Sequence, residues 1–177
     1  MRPLLILDLD ETLVHAAPGT RPGVAFRVGP YGVLPRPHLE DFLRQAAAEY
    51  ELAVWTSSSA DYAETMVGEI TARSGTRMTF VWARERCTRQ LHPETREDYW
   101  LKDLRKIRRA GYDLRRVLVV DDTPLKLARS YGNLVLVRPF TGDPADDELR
   151  RLGPYLVRLA AEPDFRAIEK RGWRGGA

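Results

Sequence analysis

Three apolar runs of this sequence each end in acidic or hydroxyl residues, and a lysine lies between the second run and the third. These residue types can do chemistry. Carboxylates bind divalent cations, attack electrophiles or move protons, while hydroxyl and ammonium groups bind anions. The candidates in chain order are Asp8, Asp10, Thr12, Thr56, Ser57, Lys102, Asp121 and Asp122.

A divalent cation would allow the carboxylates of separate strand ends to lie together, since without one they would repel each other strongly in a dry cleft. Mg²⁺ prefers a few carboxylates with water and phosphate oxygens, so we expect Mg²⁺ as the cofactor. With a phosphate group held by the metal and Lys102, one carboxylate could attack phosphorus. Asp10 could then protonate the leaving oxygen and later activate water. Thr56 offers a hydroxyl and a backbone N–H to a phosphate oxygen.

Each of these residues has an ordinary structural explanation when it is taken singly. An aspartate after a strand often forms a turn, a serine or threonine often caps a helix, and a lysine is usually solvated. The joint pattern is different, because every feature lies where a strand ends or between two strands. We therefore interpret the set as one functional site.

The apolar segments alternate with amphipathic ones, and this alternation predicts the fold class. Short buried strands separated by helices indicate an α/β protein, Rossmann-like, with a mostly parallel five-stranded sheet in three layers. Sites in such sheets form at the carboxyl ends of the strands. The predicted strands are 4–9, 51–55, 78–82, 116–120 and 134–137, and the predicted helices include 38–49, one capped by Ser59 or Asp61, and 100–109, which begins beside Lys102.

A segment rich in glycine, proline and arginine, residues 17–37, predicts a small β-hairpin insertion that turns at residues 29–32. The intervals between Asp10, Thr56 and Lys102 are too short for a large cap domain. We expect one domain over residues 1–163, followed by a loose basic tail over residues 164–177.

Composition limits the class of protein. With 44% hydrophobic and 30% charged residues, the 177-residue chain is typical of a globular domain, and its net charge of +3 does not demand nucleic acid. Cys87 is the single cysteine, which excludes an intrachain disulfide and argues against a cysteine-based zinc site. No signal peptide or membrane-spanning run is evident, so we expect a cytoplasmic protein without a membrane partner.

The motif segments resemble the haloacid-dehalogenase (HAD) superfamily of phosphatases, and more narrowly its CTD-phosphatase, or NLI-interacting-factor-like, branch of the FCP/SCP type. Residues 4–15, which include Asp8, Asp10 and Thr12, carry the strongest match. The supporting segments are residues 36–38, 55–58, 61–63, 84–87, 102–104 and 120–124.

This resemblance implies a magnesium-dependent phosphatase in which Asp8 forms an aspartyl-phosphate and Asp10 is the general acid and base. It also implies the remaining roles. These are Asp8, the Asp10 carbonyl and Asp122 as magnesium ligands with Asp121 in support, Thr56 and Lys102 as phosphoryl-binding groups, Thr12 as a brace of the loop, and Ser57 and Arg84 near the substrate.

Several substrates fit this sequence. Without a cap, the cleft should be open and suited to a phosphorylated macromolecule, either a phospho-Ser/Thr protein or the end of a polynucleotide. A small phosphorylated metabolite and a catalytically silent binding module are the alternatives. The sequence indicates no oligomeric state.

Overall fold

The computed structural model describes residues 2–19, 21–92 and 94–175 of the chain. The strands in chain order are β1 (Leu4–Leu7), β2 (Val14–Pro18), β3 (Phe26–Val28), β4 (Tyr31–Pro35), β5 (Glu51–Trp55), β6 (Val81–Trp82), β7 (Thr88–Leu91), β8 (Asp98–Leu101), β9 (Val117–Asp121) and β10 (Leu134–Leu136). The α-helices are α1 (Leu39–Glu49), α2 (Ala60–Ser74), α3 (Arg105–Arg109) and α4 (Glu148–Ala160).

A five-stranded parallel sheet in the order β10-β9-β1-β5-β6 forms the centre of the molecule. Leu7 of β1 pairs with Val54 of β5 on one side and with Val120 of β9 on the other. The carboxyl ends of these three strands are therefore level, and the residues that follow them meet at one edge. The predicted α/β class with a mostly parallel five-stranded sheet is confirmed.

Both faces of the sheet are covered, which explains why its central strands are continuously apolar. Leu5 and Leu7 of β1 point into a core that includes side chains of α1, α2 and α4, whereas Leu4 and Ile6 point into a second core that includes Ile107 of α3. The result is the predicted three-layer arrangement.

The predicted hairpin insertion is larger than expected. It is a three-stranded antiparallel sheet in the order β2-β4-β3, and it begins at Val14 rather than near residue 17. The predicted turn lies where expected, since Val28 pairs with Tyr31 across it. Strand β4 can pair on both of its edges. The apolar residues before the glycine-rich stretch therefore join the insertion as β2, on the edge of β4 that β3 does not occupy.

The predicted helix over residues 100–109 is partly wrong. Residues 98–101 form β8, which pairs antiparallel with β7, and α3 is confined to Arg105–Arg109. Tyr99, Trp100 and Leu101 favour a strand once a partner segment lies beside them. Lys102 therefore follows a strand directly and does not begin a helix.

The expectation of a loose C-terminal tail is also wrong for the residues that the structure describes. The indole of Trp173 is 5% exposed, stacks on Tyr155 with ring centroids 5.7 Å apart, and donates a 2.8 Å hydrogen bond to the carbonyl of Leu136. Arg174 pairs with Glu148. This segment packs against strand β10 at the edge of the sheet; Gly176 and Ala177 lie outside the described residues.

Over the same described ranges, no helix combines the length and the apolar character needed to cross a bilayer.

Candidate active site

The two central strands deliver a pair of buried carboxylates to the same edge of the sheet. Asp8 directly follows β1, and its backbone N–H donates a 3.0 Å hydrogen bond to the carbonyl of Val120 in β9. Asp121 ends β9. Both side chains are buried, with relative exposures of 1% and 0%. Carboxylates in such surroundings need a counter-charge.

Two lysine ammonium groups supply that charge. Nζ of Lys102 lies 2.9 Å from Oδ1 of Asp8 and 2.6 Å from Oδ2 of Asp121. Nζ of Lys126 lies 2.7 Å from Oδ2 of Asp8. Each oxygen of Asp8 thus faces its own lysine. Lys102 was predicted from the sequence and Lys126 was not, although the position of Lys126 four residues after Asp122 is the helical spacing of an ion pair.

The lysines set the charge state of Asp8. Burial acts to raise the pKa of Asp8, but the ammonium groups of Lys102 and Lys126 outweigh it and hold that pKa below the ordinary value of 3.8. Asp8 is consequently a carboxylate near neutral pH. Asp121 behaves differently, because burial and then the neighbouring Asp8 charge raise its pKa to about 6.

Three carboxylates form an oxygen cluster that fits a hard divalent cation. Atoms of Asp8, Asp121 and Asp122 lie within 4.8 Å of one another. Oxygen donors of this kind are the protein ligands that Mg²⁺ prefers. The carboxylate of Asp10 does not belong to this cluster, and the predicted role of its backbone carbonyl stays a prediction.

Asp10 is held by two hydroxyl groups from the segment after β5. The phenol of Tyr62 donates a 2.5 Å hydrogen bond to Oδ1, and Oγ of Ser58 donates a 2.8 Å hydrogen bond to Oδ2. Burial and the Asp10 charge raise the pKa of Tyr62, so its phenol stays protonated as a donor. Tyr62 belongs to the family-like segment 61–63, but no role in the site was predicted for it. Only its spacing from Thr56 within the family-like segment could have marked it.

The loop after β5 lies beside these carboxylates and is itself held in place. Thr56 is 1% exposed, and its backbone N–H donates to the carbonyl of Trp82 at 2.9 Å. Its Oγ1 accepts a 3.1 Å hydrogen bond from the N–H of Ser58. The thiol of Cys87 donates to the Thr56 carbonyl. Thr56 and Ser58 are therefore held in fixed positions, and Ser58 is hydrogen-bonded to Asp10.

The remaining predicted residues differ in their surroundings. Nε of Arg84 donates a 2.6 Å hydrogen bond to the carbonyl of Ser57, and its guanidinium lies over the Trp100 ring at 5.6 Å. Thr12 is fully buried below the site, where its carbonyl accepts a 3.0 Å hydrogen bond from Arg36. Among the described residues the buried Thr12 hydroxyl has no hydrogen-bond partner, and Thr12 does not line the cleft, so its role as a brace of the loop stays a prediction.

An open cleft of about 730 Å³ borders Asp10 and its partners Ser58 and Tyr62, between the three-stranded insertion and α2. One wall is apolar, with Val28, Pro30 and Tyr31 from the insertion. The cleft is lined by Asp10, Glu11, Ala16, Val28, Gly29, Pro30, Tyr31, Ser58, Ser59, Asp61, Tyr62, Thr65 and Arg84. Asp10 and Arg84 are thus the two predicted site residues that face it.

The parallel sheet, the aspartate pair after its central strand and the buried lysine together define a HAD-type phosphatase domain. A family model described as NLI interacting factor-like phosphatase matches residues 3–166, and the chain belongs to this family. The family resemblance found in the sequence is confirmed.

Individual relatives agree with this assignment. The chain is 29% identical to the CTD nuclear envelope phosphatase 1 of Xenopus laevis, over 96% of this chain and 72% of that protein. It is 31% identical to the human carboxy-terminal domain RNA polymerase II polypeptide A small phosphatase 1, over 93% of this chain and 62% of that protein. The fold is similar to that of the RNA polymerase II CTD phosphatase Fcp1, with a TM-score of 0.68 and 20% identity over 90% of this chain and 62% of Fcp1.

The expected cytoplasmic location is wrong. One relative is named for the nuclear envelope. Another, the mitochondrial import inner membrane translocase subunit TIM50 of Phytophthora infestans, is 31% identical over 94% of this chain and 37% of its own length. Relatives named for a membrane or an organelle thus carry the same domain.

Proposed function

We propose that this chain is a magnesium-dependent phosphomonoester hydrolase that works through an aspartyl-phosphate on Asp8. The observation that carries this proposal is the pairing of each Asp8 oxygen with its own lysine, two residues before a carboxylate that faces an open cleft. The lowered pKa of Asp8 keeps the nucleophile ionised.

In the first half of the reaction, a carboxylate oxygen of Asp8 attacks the phosphorus of the substrate, and the bond between phosphorus and the ester oxygen breaks. Asp10, in its protonated form, gives its proton to the departing oxygen. Tyr62 and Ser58 hold the Asp10 side chain on the cleft side, where that oxygen leaves.

In the second half, water attacks the phosphorus of the aspartyl-phosphate while the Asp10 carboxylate takes the water proton. Asp8 is released together with inorganic phosphate, and Asp10 is protonated for the next cycle. Thr56 and Lys102 would bind the phosphoryl oxygens in both steps, since a hydroxyl and an ammonium group stabilise the developing negative charge. The Thr56 backbone N–H, which the sequence also offered for this role, instead donates to the carbonyl of Trp82.

The carboxylates of Asp8, Asp121 and Asp122, with the Asp10 carbonyl, would hold the metal. When bound, Mg²⁺ supplies positive charge that offsets the negative charge of the phosphoryl group.

The lining of the cleft favours a phosphoprotein substrate over a polynucleotide. Three carboxylates, those of Asp10, Glu11 and Asp61, face it against the single guanidinium of Arg84. A polynucleotide brings one phosphate per nucleotide, and these would be repelled. A peptide with one phosphate avoids that cost, and its side chains could pack on the apolar wall formed by the insertion.

Two relatives also support a phosphoprotein substrate, because their names refer to the carboxy-terminal domain of RNA polymerase II. The chain spans less than two thirds of each of them. We therefore assign to it the class of substrate, phospho-Ser/Thr in a protein segment, and no particular protein.

The decisive experiment is a magnesium-supplemented phosphatase assay on phosphopeptides, end-phosphorylated oligonucleotides and metabolite phosphates. Asp8→Asn should abolish phosphate release, because the amide cannot form the acyl-phosphate. Asp10→Asn should slow the hydrolysis of serine phosphate more than that of p-nitrophenyl phosphate, whose leaving group hardly needs a proton. Retained turnover by Asp8→Asn would refute the mechanism, and a metabolite that outperforms every peptide would refute the substrate class.

A further inference from the structure

Lys126 contacts all three members of the oxygen cluster. Its Nζ lies 2.7 Å from Oδ2 of Asp8, 3.4 Å from Oδ1 of Asp121 and 3.6 Å from Oδ1 of Asp122. The ammonium group therefore sits among the same carboxylates that would hold a divalent cation. In the reaction proposed above this lysine only helps to keep Asp8 ionised, and it contacts neither substrate nor leaving group.

The two lysines of the site are not equivalent. Lys102 contacts Oδ1 of Asp8 and Oδ2 of Asp121, whereas Lys126 contacts the opposite oxygen of each. Of the two lysines, only Lys126 also contacts Asp122. Lys126 thus contacts every carboxylate of the prospective metal cluster, and Lys102 contacts the opposite oxygens of two of them.

Burial shows which of the two lysines can move. The Lys102 side chain is 0% exposed, whereas that of Lys126 is 17% exposed. Lys126 projects from the short 3-10 turn Pro124–Leu127, and its flexible side chain has a direct route to solvent. Of the two ammonium groups, the partly exposed one of Lys126 is thus the one that an incoming cation could displace.

We propose that the ammonium group of Lys126 competes with the divalent cation for the three carboxylates. Without metal, this ammonium group pairs with the carboxylates, and a metal must displace it in order to bind. This inference rests on the proposed function, because it assumes a metal at the same cluster. Its consequence is a weakened affinity for metal, since binding includes the cost of breaking three ion pairs and of bringing a cation near an ammonium group. The fraction of protein with metal bound would then follow the free metal concentration.

The test is a calorimetric titration of Mg²⁺ into the full chain without substrate. Lys126→Met removes the charge and keeps the length of the side chain, so Mg²⁺ should bind about tenfold or more tightly than to the wild type. Lys126→Arg keeps the charge and should show no such gain. Lys106→Met is the matched control, because Nζ of Lys106 contacts the carbonyls of Arg86 and Cys87 and no carboxylate; its Mg²⁺ affinity should equal that of the wild type.

Thermal stability gives a second readout. In EDTA, Lys126→Met should melt below the wild type, because Asp8 and Asp121 then share one lysine and Asp122 loses its ion pair. Added Mg²⁺ should raise its melting temperature by more than it raises that of the wild type. Lys126→Gln repeats both measurements if Lys126→Met does not fold.

Equal or weaker Mg²⁺ binding by the neutral variants overturns the competition and leaves the proposed hydrolase intact. No Mg²⁺ binding by the wild type and the variants alike overturns the metal requirement itself, and this inference with it. Tighter binding by Lys126→Arg as well would show that side-chain shape, and not charge, limits the metal.

Discussion

The phenol of Tyr62 and the carboxylate of Asp10 form a short hydrogen bond of 2.5 Å at the mouth of the cleft. Oγ of Ser58 occupies the second carboxylate oxygen at 2.8 Å. Both donors come from the segment after β5, so the geometry of Asp10 depends on a part of the chain about fifty residues away. A general acid and base that is held in this way needs no reorientation between the two half-reactions.

Tyr62→Phe should lower kcat by about tenfold on a phosphoserine peptide, with little change in KM, because one hydrogen bond that positions Asp10 is lost. The loss should be smaller on p-nitrophenyl phosphate, which depends less on Asp10. Steady-state kinetics on both substrates measure the difference. Tyr131→Phe is the control, since Tyr131 is 58% exposed and lies outside the cleft. An equal loss on both substrates would show that Tyr62 does not act through Asp10.

Metal removal should abolish activity, and added Mg²⁺ should restore it. The reason is that Asp8, Asp121 and Asp122 offer only carboxylate oxygens, which suit Mg²⁺. Zn²⁺ should restore activity poorly, because the cluster offers no sulfur or nitrogen ligand. Dialysis against EDTA followed by metal titration gives the measurement. Full activity after exhaustive chelation would exclude the metal-dependent mechanism.

Arg84→Ala should reduce kcat/KM for a phosphopeptide by about tenfold and affect p-nitrophenyl phosphate much less, because contacts to a large substrate supply binding energy that a minimal ester cannot use. Arg84 lines the cleft and is oriented by the Ser57 carbonyl. Arg86→Ala is the matched control, since Arg86 lies in the same turn, packs over Trp82 and does not line the cleft. If both variants lose the same amount, general surface charge and not Arg84 explains the effect.

Asp146→Asn should destabilise the fold by roughly 3 kcal/mol at neutral pH, because it leaves the buried guanidinium of Arg36 without its partner. Arg36 donates two 2.8 Å hydrogen bonds to Asp146 and also holds the Thr12 carbonyl under the site. Denaturant unfolding of both proteins gives the difference.

The ion pair between Arg36 and Asp146 also predicts that the free energy of unfolding depends on pH. Burial acts to raise the pKa of Asp146, but the Arg36 hydrogen bonds and charge lower it overall. A lowered folded-state pKa means that the stabilisation is present above the unfolded-state value near 4 and is lost as pH falls through the folded-state value. The difference in the free energy of unfolding between the wild type and Asp146→Asn should therefore become smaller in acid. Asp98→Asn, in an exposed pair with Arg89, should change stability little at any pH. A gap independent of pH would contradict this account.

The order of the central elements could be read from the chain because its signals are local. The strand predicted at residues 51–55 is observed as Glu51–Trp55, and the apolar run before Asp8 is β1. A parallel sheet brings the carboxyl ends of its strands to one edge, so residue types and spacing predicted that the carboxylates of Asp8, Asp121 and Asp122 gather there with Lys102. Their catalytic roles stay predictions until the variants are measured.

Other features depend on partners that are distant in the chain, where the sequence carries no local signal. Strand β8 exists because β7 pairs with it, and Trp173 is buried because it packs on Tyr155 and bonds to the edge strand β10. Lys126 meets Asp8 across 118 residues. Apolar periodicity and motif spacing thus determined the sheet and the candidate carboxylates. The second lysine, the hydroxyls on Asp10 and the packed C-terminus came from tertiary contacts, because such contacts are set by packing between segments and not by local sequence preference.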